Sequence, residues 1–336
     1  MPEADPAPLV TVIGEALIDL VPQGAPDTFR ARPGGSPFNV AVGLARLGRR
    51  TAMMARLADN AFGRILRDHA VREGIDLGSA PHATEPTTLA VVSLDANAQA
   101  SYDFYHQGTA DWQWTVAETS RIPADTAVLH LGSVASWTPP GDQHIHSAVS
   151  RLHHGGQVLI SYDPNVRPAL LGDPGRARTL IERTVADAHV VKASRDDVEW
   201  LYPSGLEHAA TRWLALGALL VVVTDGADGA HAFRSGRPPL TRPGRKAAVV
   251  DTVGAGDAFT AGLLSALVRR NLHTPELLAL ASDPGLAATL EDAILVSALT
   301  CERTGADPPT ATGRPHLPAE APLTVSDLHF TAQPPP

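Results

Sequence analysis

Short β-branched, apolar runs alternate with amphipathic stretches along most of this chain. The first run, "LVTVIGEALIDLV" at 9–21, is broken by a glycine. It predicts a single buried parallel strand whose C-terminal end spans 14–19. In "RPGGSPFNVAVGLARLG", two glycines, Ser36 as N-cap and Pro37 in the first turn open an apolar helix that Gly48 closes. "TAMMARLA" predicts a strand and "NAFGRILRDHAVREGI" a helix, whereas "TTLAVVSLDANAQASYDFYH" reads as two extended stretches around the turn-prone "DANA", a β-hairpin.

From residue 126 the alternation is regular. "AVLHLGSV", "QVLISYDPNVRP", "AHVVKAS" and "LLVVVTDGADGA" read as strands, with helices around 145–153, in "RDDVEWLYP" and in "TRWLALGA". This pattern predicts an α/β fold, a doubly wound αβα sandwich on a mostly parallel sheet. Ligands then belong at the carboxyl ends of the strands. Gly14, Asp163, Lys192, Thr224 and Gly254 all fall at such ends, so separated segments converge on one edge. The stretch 1–8 reads as a loose start, and the proline-rich 311–336 as a mobile tail.

Composition narrows the classes. With 336 residues, 44% hydrophobic and 19% charged, the chain has the makeup of a soluble globule. A net charge of −9 without a basic run argues against a nucleic-acid surface. A single cysteine, Cys301, excludes a disulfide framework. The N-terminus lacks the pattern of a signal peptide, and no apolar stretch reaches the ~18 residues of a membrane span. The expected setting is cytoplasmic. Lys192 and Lys246 are the only lysines.

The strongest chemical signal is "DTVGAGDAF" at 251–259, which opens another apolar helix. A glycine turn at a helix N-terminus leaves N–H groups free and adds dipole charge, an arrangement that attracts phosphate. Asp257 then brings a carboxylate to the same place. Phosphoryl transfer needs both kinds of group: donors for the moving phosphoryl charge and a base for the attacking hydroxyl. The N–H groups of Ala255, Gly256 and Asp257 suit the first task and the Asp257 carboxylate the second. The Walker A and Rossmann fingerprints are absent.

"DTVGAGDAF" resembles the C-terminal signature of the ribokinase-like (PfkB) carbohydrate kinases, and "GGSPFNVAVGLARLG" their N-terminal one. The resemblance covers residues 9–310 and implies a small β lid on the core, drawn from about 21–32 and 88–106. It implies Asp257 as catalytic base, Gly254, Ala255 and Gly256 as anion hole, and ATP with Mg²⁺ (Mg2+) as donor. "GEALIDLVP", "SYDFYHQGTAD", "YDPNVRP" and "VVKASRDDVEWLYP" are most similar to bacterial fructokinases. Asp19, Gly34, Gly35 and Asn39 would then hold sugar hydroxyls, with Asp163 and Arg167 near the sugar or phosphates. Lys192, Ser194, Thr224, Gly226 and Gly229 would line the ATP side. Asp251, with the carbonyls of Val253 and of "ERTGAD", would hold a monovalent cation, K⁺ (K+). The resemblance implies a homodimer.

Two departures bear on the sugar. Ribokinases carry Asn-x-x-Glu where this chain has Ser194-Arg195-Asp196-Asp197, and fructokinases often carry arginine where it has His106. Fructose is the first choice of acceptor. A 2-keto-3-deoxygluconate, pentose or nucleoside kinase, or a silent sugar-binding or regulatory protein, stays open beside it. Structural readings compete too: Asp257 as a helix N-terminal acid, Gly34 and Gly35 as an ordinary loop, Lys192 as solvated surface. The histidines of "QHIHSAVSRLHHGG" read as a solvated helix rather than a metal site.

Overall fold

The computed structural model describes residues 7–94, 100–312 and 321–330. Its central sheet has eight strands, in the order Leu240–Arg242, Ala230–Phe233, Leu220–Thr224, Val190–Ser194, Leu159–Asp163, Thr126–Gly132, Leu9–Ile13, Arg50–Met54. The last six run parallel, and the first two add an antiparallel edge. Alternate residues of each strand face opposite layers. Val190, Leu220 and Val222 join Phe38, Leu44, Phe259 and Leu263 in one core, while Val191, Val221 and Val223 join Ile145, Ile181 and Trp213 in the other. The core is therefore two apolar slabs with the sheet between them.

A second sheet of four strands lies in the order Ala25–Gly34, Leu17–Gln23, Leu89–Leu94, Ala100–Tyr105. The "DANA" turn lies outside the described residues. The run 9–21 is two strands rather than one: Leu9–Ile13 belongs to the central sheet and Leu17–Gln23 to the second. Both halves read as apolar because Leu17 and Ile18 are also buried. The chain changes sheet at Glu15 and Ala16. Glu15 accepts a hydrogen bond from the Ala135 amide at 3.1 Å, and the Ala16 amide donates to Asp111 at 3.0 Å.

The C-terminal segment also departs from expectation, since residues 321–330 are docked. Thr310–Ala311 pairs antiparallel with Leu328–His329, Asp327 is buried, and Arg303 lies 4.4 Å over the Phe330 ring. Residues 1–6, 313–320 and 331–336 lie outside the described set. Among the described residues one helix, Asp283–Cys301, is long and apolar enough to cross a membrane. Its packing against Ala255–Arg269, with 67% of its apolar window buried, marks it as a core helix. Trp112 and Trp114 are core side chains.

Candidate active site

The carboxyl ends of the parallel strands, the root of the second sheet and one helix N-terminus meet at a single cleft. Ala255–Arg269 is the helix, and its N-cap Gly254 adopts a left-handed φ of 76°. A side chain there would also press on Ala306, whose Cα would lie 2.8 Å from a Cβ. Glycine is needed for both reasons. The Ala255 amide donates to the Thr252 carbonyl at 3.2 Å, so the expected trio of free donors is reduced. Among the described residues the Gly256 and Asp257 amides have no hydrogen-bond partner.

Asp257 does not act merely as a helix-end charge. Ser36 Oγ donates to one of its oxygens at 2.7 Å and Asn39 Nδ2 to the other at 2.8 Å. Burial pushes its pKa up; the two hydrogen bonds and the Lys192 charge pull back without cancelling that, and Asp163 adds to the rise. Ser36 is thus not the N-cap. Gly35 holds that position, and Ser36 begins the helix Ser36–Arg46 with its hydroxyl spent on Asp257. Gly35, at φ 101°, passes over the Glu15 carbonyl, which a Cβ would meet at 2.8 Å.

Asp19 faces the same space from the second sheet, its carboxylate lying against Gly34. Burial, then repulsion from Asp257, pushes its pKa up to about 6, with Arg167 opposing. Asp19, Gly34, Gly35, Asn39 and Asp257 are therefore together, as expected.

The other flank differs more from expectation. Lys192 is neither solvated nor free: it is 4% exposed, and its Nζ donates to Asp163 at 2.8 Å. Burial pulls its pKa down, but Asp163, helped by Asp197 and Asp257, more than reverses this. A Cβ on Gly256 would lie 3.3 Å from the ammonium, so this cation stands beside the glycine turn. Asp163, at 2% exposure, also accepts from the Asn165 amide at 3.1 Å and from Thr260 at 3.4 Å. It anchors Lys192 rather than opening towards a sugar.

A cavity of about 570 Å³ lies on this flank, with Arg167, Lys192, Ser194, Thr224, Gly226 and Gly256 in its wall. Ser194 there also caps the helix Arg195–Leu201, in a reciprocal box with Asp197. Gly229 is not part of the wall. It closes a tight turn, where a Cβ would lie 2.5 Å from the Gly244 amide. Asp251 is placed by two amides, from Val253 at 3.0 Å and from Gly305 at 2.7 Å, and so ties 251–253 to the 303–307 loop.

Sequence reasoning missed several groups. Arg195 pairs with Asp225 at the cavity rim, Nε to Oδ1 at 2.6 Å. Asp111, fully buried where the second sheet leaves the core, has its pKa pushed up to about 7 by burial, against a hydrogen bond from Thr88. Arg30 and Arg32 line a further pocket beside Asn39. The alternation "FRARPGG" was the available signal for the last pair. Among the described residues no group of three or more His, Cys, Asp and Glu side chains is placed to hold a metal ion, the 142–155 histidines included.

The chain is 37% identical over 273 residues to a fructokinase of Rhizobium leguminosarum bv. trifolii, covering 79% of this chain and 82% of that protein. A fructokinase from Xylella fastidiosa with bound ATP superposes with a TM-score of 0.81 at 27% identity, over 89% and 93% of the two chains. A fructokinase double mutant from Vibrio cholerae O395, in a fructose, ADP and potassium ion bound form, gives a TM-score of 0.79 at 28% identity, over 90% and 95%. The family model of the pfkB family carbohydrate kinases matches residues 7–312. With that family model covering most of its length, the chain belongs to the pfkB family of carbohydrate kinases.

Proposed function

We propose that this enzyme transfers the terminal phosphoryl group of ATP to a primary hydroxyl of fructose. The observation that carries the reading is Asp257, a carboxylate of raised pKa held by two neutral donors at the mouth of a glycine turn. The relatives called fructokinases support the choice of sugar.

Asp257 takes the proton of the acceptor hydroxyl as the new O–P bond forms, and a raised pKa suits a base that works near neutral pH. Asp19, Asn39, Gly34 and Gly35 hold the remaining sugar hydroxyls; carboxylate and amide groups suit this because each makes several directional bonds. The amides of Gly256 and Asp257, with the Lys192 ammonium, face the charge of the moving phosphoryl group. Arg167 and the wall of the 570 Å³ cavity receive the nucleotide. The lid sheet Ala25–Gly34, Leu17–Gln23, Leu89–Leu94, Ala100–Tyr105 covers the sugar and excludes water.

The cavity's Asp196 and Asp197 fit Mg²⁺, which takes oxygen ligands and commonly keeps to one or two carboxylates plus phosphates. It would supply charge neutralisation. Asp251 and the carbonyls around it fit K⁺, which would hold the 251–253 loop beside the turn. Exposed Phe29 and Tyr105 on the lid fit a homodimer, and consumption of ATP fits a cytoplasmic enzyme.

The test is coupled ADP release with Mg-ATP, with and without K⁺, against fructose, 2-keto-3-deoxygluconate, ribose and adenosine. Fructose-dependent turnover that exceeds the others, and vanishes in Asp257→Asn, is expected. Turnover on another acceptor alone would sink the choice of sugar, and sugar binding without any turnover would sink the role of Asp257.

A further inference from the structure

Arg30 and Arg32 have no task in that reaction. They stand two apart on the lid strand Ala25–Gly34, so their side chains leave the same face. The register sets Arg32 opposite Asp19 and Arg30 opposite Val21, which makes it the face that carries Asp19. With Thr304 and Ala306 they line a pocket of about 320 Å³, within the ordinary range of a small-ligand site. Asn39 lines it as well while donating to Asp257, so the pocket abuts the acceptor site.

The charges around the pocket do not cancel. Glu73 is matched by Arg46, at 2.7 Å, and Asp307 by Arg303 and Arg46, at 2.9 and 2.5 Å. Burial holds the His69 pKa down, with Arg46 and Arg72 aiding and Glu73 and Asp307 opposing, so this ring adds no charge near neutral pH. Neither Arg30 nor Arg32 makes an ion pair among the described residues, and Asp19, opposite Arg32 on this face, lies against Gly34 and hydrogen-bonds to neither. Arg32 Nε is buried and has no hydrogen-bond partner there. A buried donor left unmade costs roughly 1–3 kcal/mol, which a ligand able to accept from it would recover. Charged residues on an edge strand also deter strand pairing. That task suits the exposed Arg30, but not Arg32, which is half-buried at the pocket wall with its Nε out of solvent.

We propose that Arg30 and Arg32 form an oxyanion subsite beside the acceptor site, one that takes a phosphate or carboxylate group. A guanidinium fork matches both geometries. The proposal rests on the sugar-kinase reading of the Asp257 site. The oxyanion comes from one of two sources: an anionic group at the far end of the acceptor sugar, or a free anion bound beside a neutral sugar.

The experiment is titration calorimetry with inorganic phosphate and with fructose 6-phosphate, the nucleotide site being saturated with a non-hydrolysable ATP analogue whose terminal phosphate fills the transfer position. It uses the wild type, the double variant Arg30→Gln/Arg32→Gln, and Arg32→Lys. The double variant is expected to lose binding by at least about tenfold, equal to 1.4 kcal/mol, with Arg32→Lys between it and the wild type. Fructose turnover should hold in both, which reports an intact fold. Arginine-dependent binding of fructose 6-phosphate alone places the anion on the acceptor; equal dependence for inorganic phosphate makes a free anion sufficient. If neither probe binds the wild type, or both bind the double variant equally well, the subsite is overturned. Failure of the sugar-kinase reading would look different: no fructose turnover in the wild type, with anion binding still arginine-dependent.

Discussion

Asp163 and Asp257 both stand near the same glycine turn, yet their partners differ in kind. Asp163 is held by a cation, Lys192 at 2.8 Å, and by Asn165 and Thr260. Asp257 is held by neutral groups only, Ser36 at 2.7 Å and Asn39 at 2.8 Å. A carboxylate against an ammonium is committed to holding that charge. One held by a hydroxyl and an amide in a dry setting keeps a raised affinity for protons, and so can accept one. Residue type alone does not separate an anchor from the base proposed above; the charge of the partner does.

The largest effect should come from making Asp257 unable to take a proton. Asp257→Asn is expected to lower kcat by about 10²–10⁴, the usual worth of a positioned base, with sugar binding largely kept. Steady-state kinetics with a fructose titration would check this. A loss below about tenfold would erase the distinction drawn above.

The opposite flank should respond in stability. Lys192→Met leaves Asp163 buried without its cation, and breaking a buried pair from one side costs about 3–5 kcal/mol. Urea denaturation should show that loss. Asp163→Asn/Lys192→Met should regain much of the stability but not the activity, because the cation beside Gly256 is still missing. Full recovery of both would make the pair merely structural.

This contrast also marks how far the sequence could be read. The strand–helix alternation and the two glycine motifs are local patterns, and a mostly parallel sheet with ligand groups at its strand ends follows from them. Partners are not local. The Ser36 hydroxyl, directly after a glycine pair and just before Pro37, looks like a cap because capping is decided within four residues. Its actual partner lies 221 positions away. Lys192 could not be placed from "VVKAS" alone, since its burial depends on Asp163 from a neighbouring strand. The run 9–21 hid a change of sheet because both halves are buried for different reasons.

Asp19 sharpens the comparison from the lid side. Burial and the nearby Asp257 raise its pKa to about 6 from the ordinary 3.8, so the folded state binds this proton more tightly than the unfolded state. Its stabilising contribution is full below the unfolded value and disappears as pH rises through about 6. Asp19→Asn, which stays neutral, should therefore match the parent in acid and exceed it at pH near 8, by up to about 3 kcal/mol. Thermal melts across that range would check it. An unchanged difference at all pH values would mean that Asp19 feels neither burial nor Asp257.

The smallest effect separates two roles for one hydroxyl. If Ser36 served as a helix cap, Ser36→Ala would cost ~1 kcal/mol of stability and leave the pH profile in place. As a donor to the charged form of Asp257, its removal should instead raise the pKa of that base further. Catalysis needs the ionised carboxylate, so the acidic limb of kcat/KM should move to higher pH, by about one unit or less. Well above the limb, kcat should return close to the parent value, since the base is then ionised in both proteins. Profiles from acid to mildly alkaline pH would decide, and a limb that did not move would return Ser36 to the helix and leave Asn39 as the one side chain donating to Asp257.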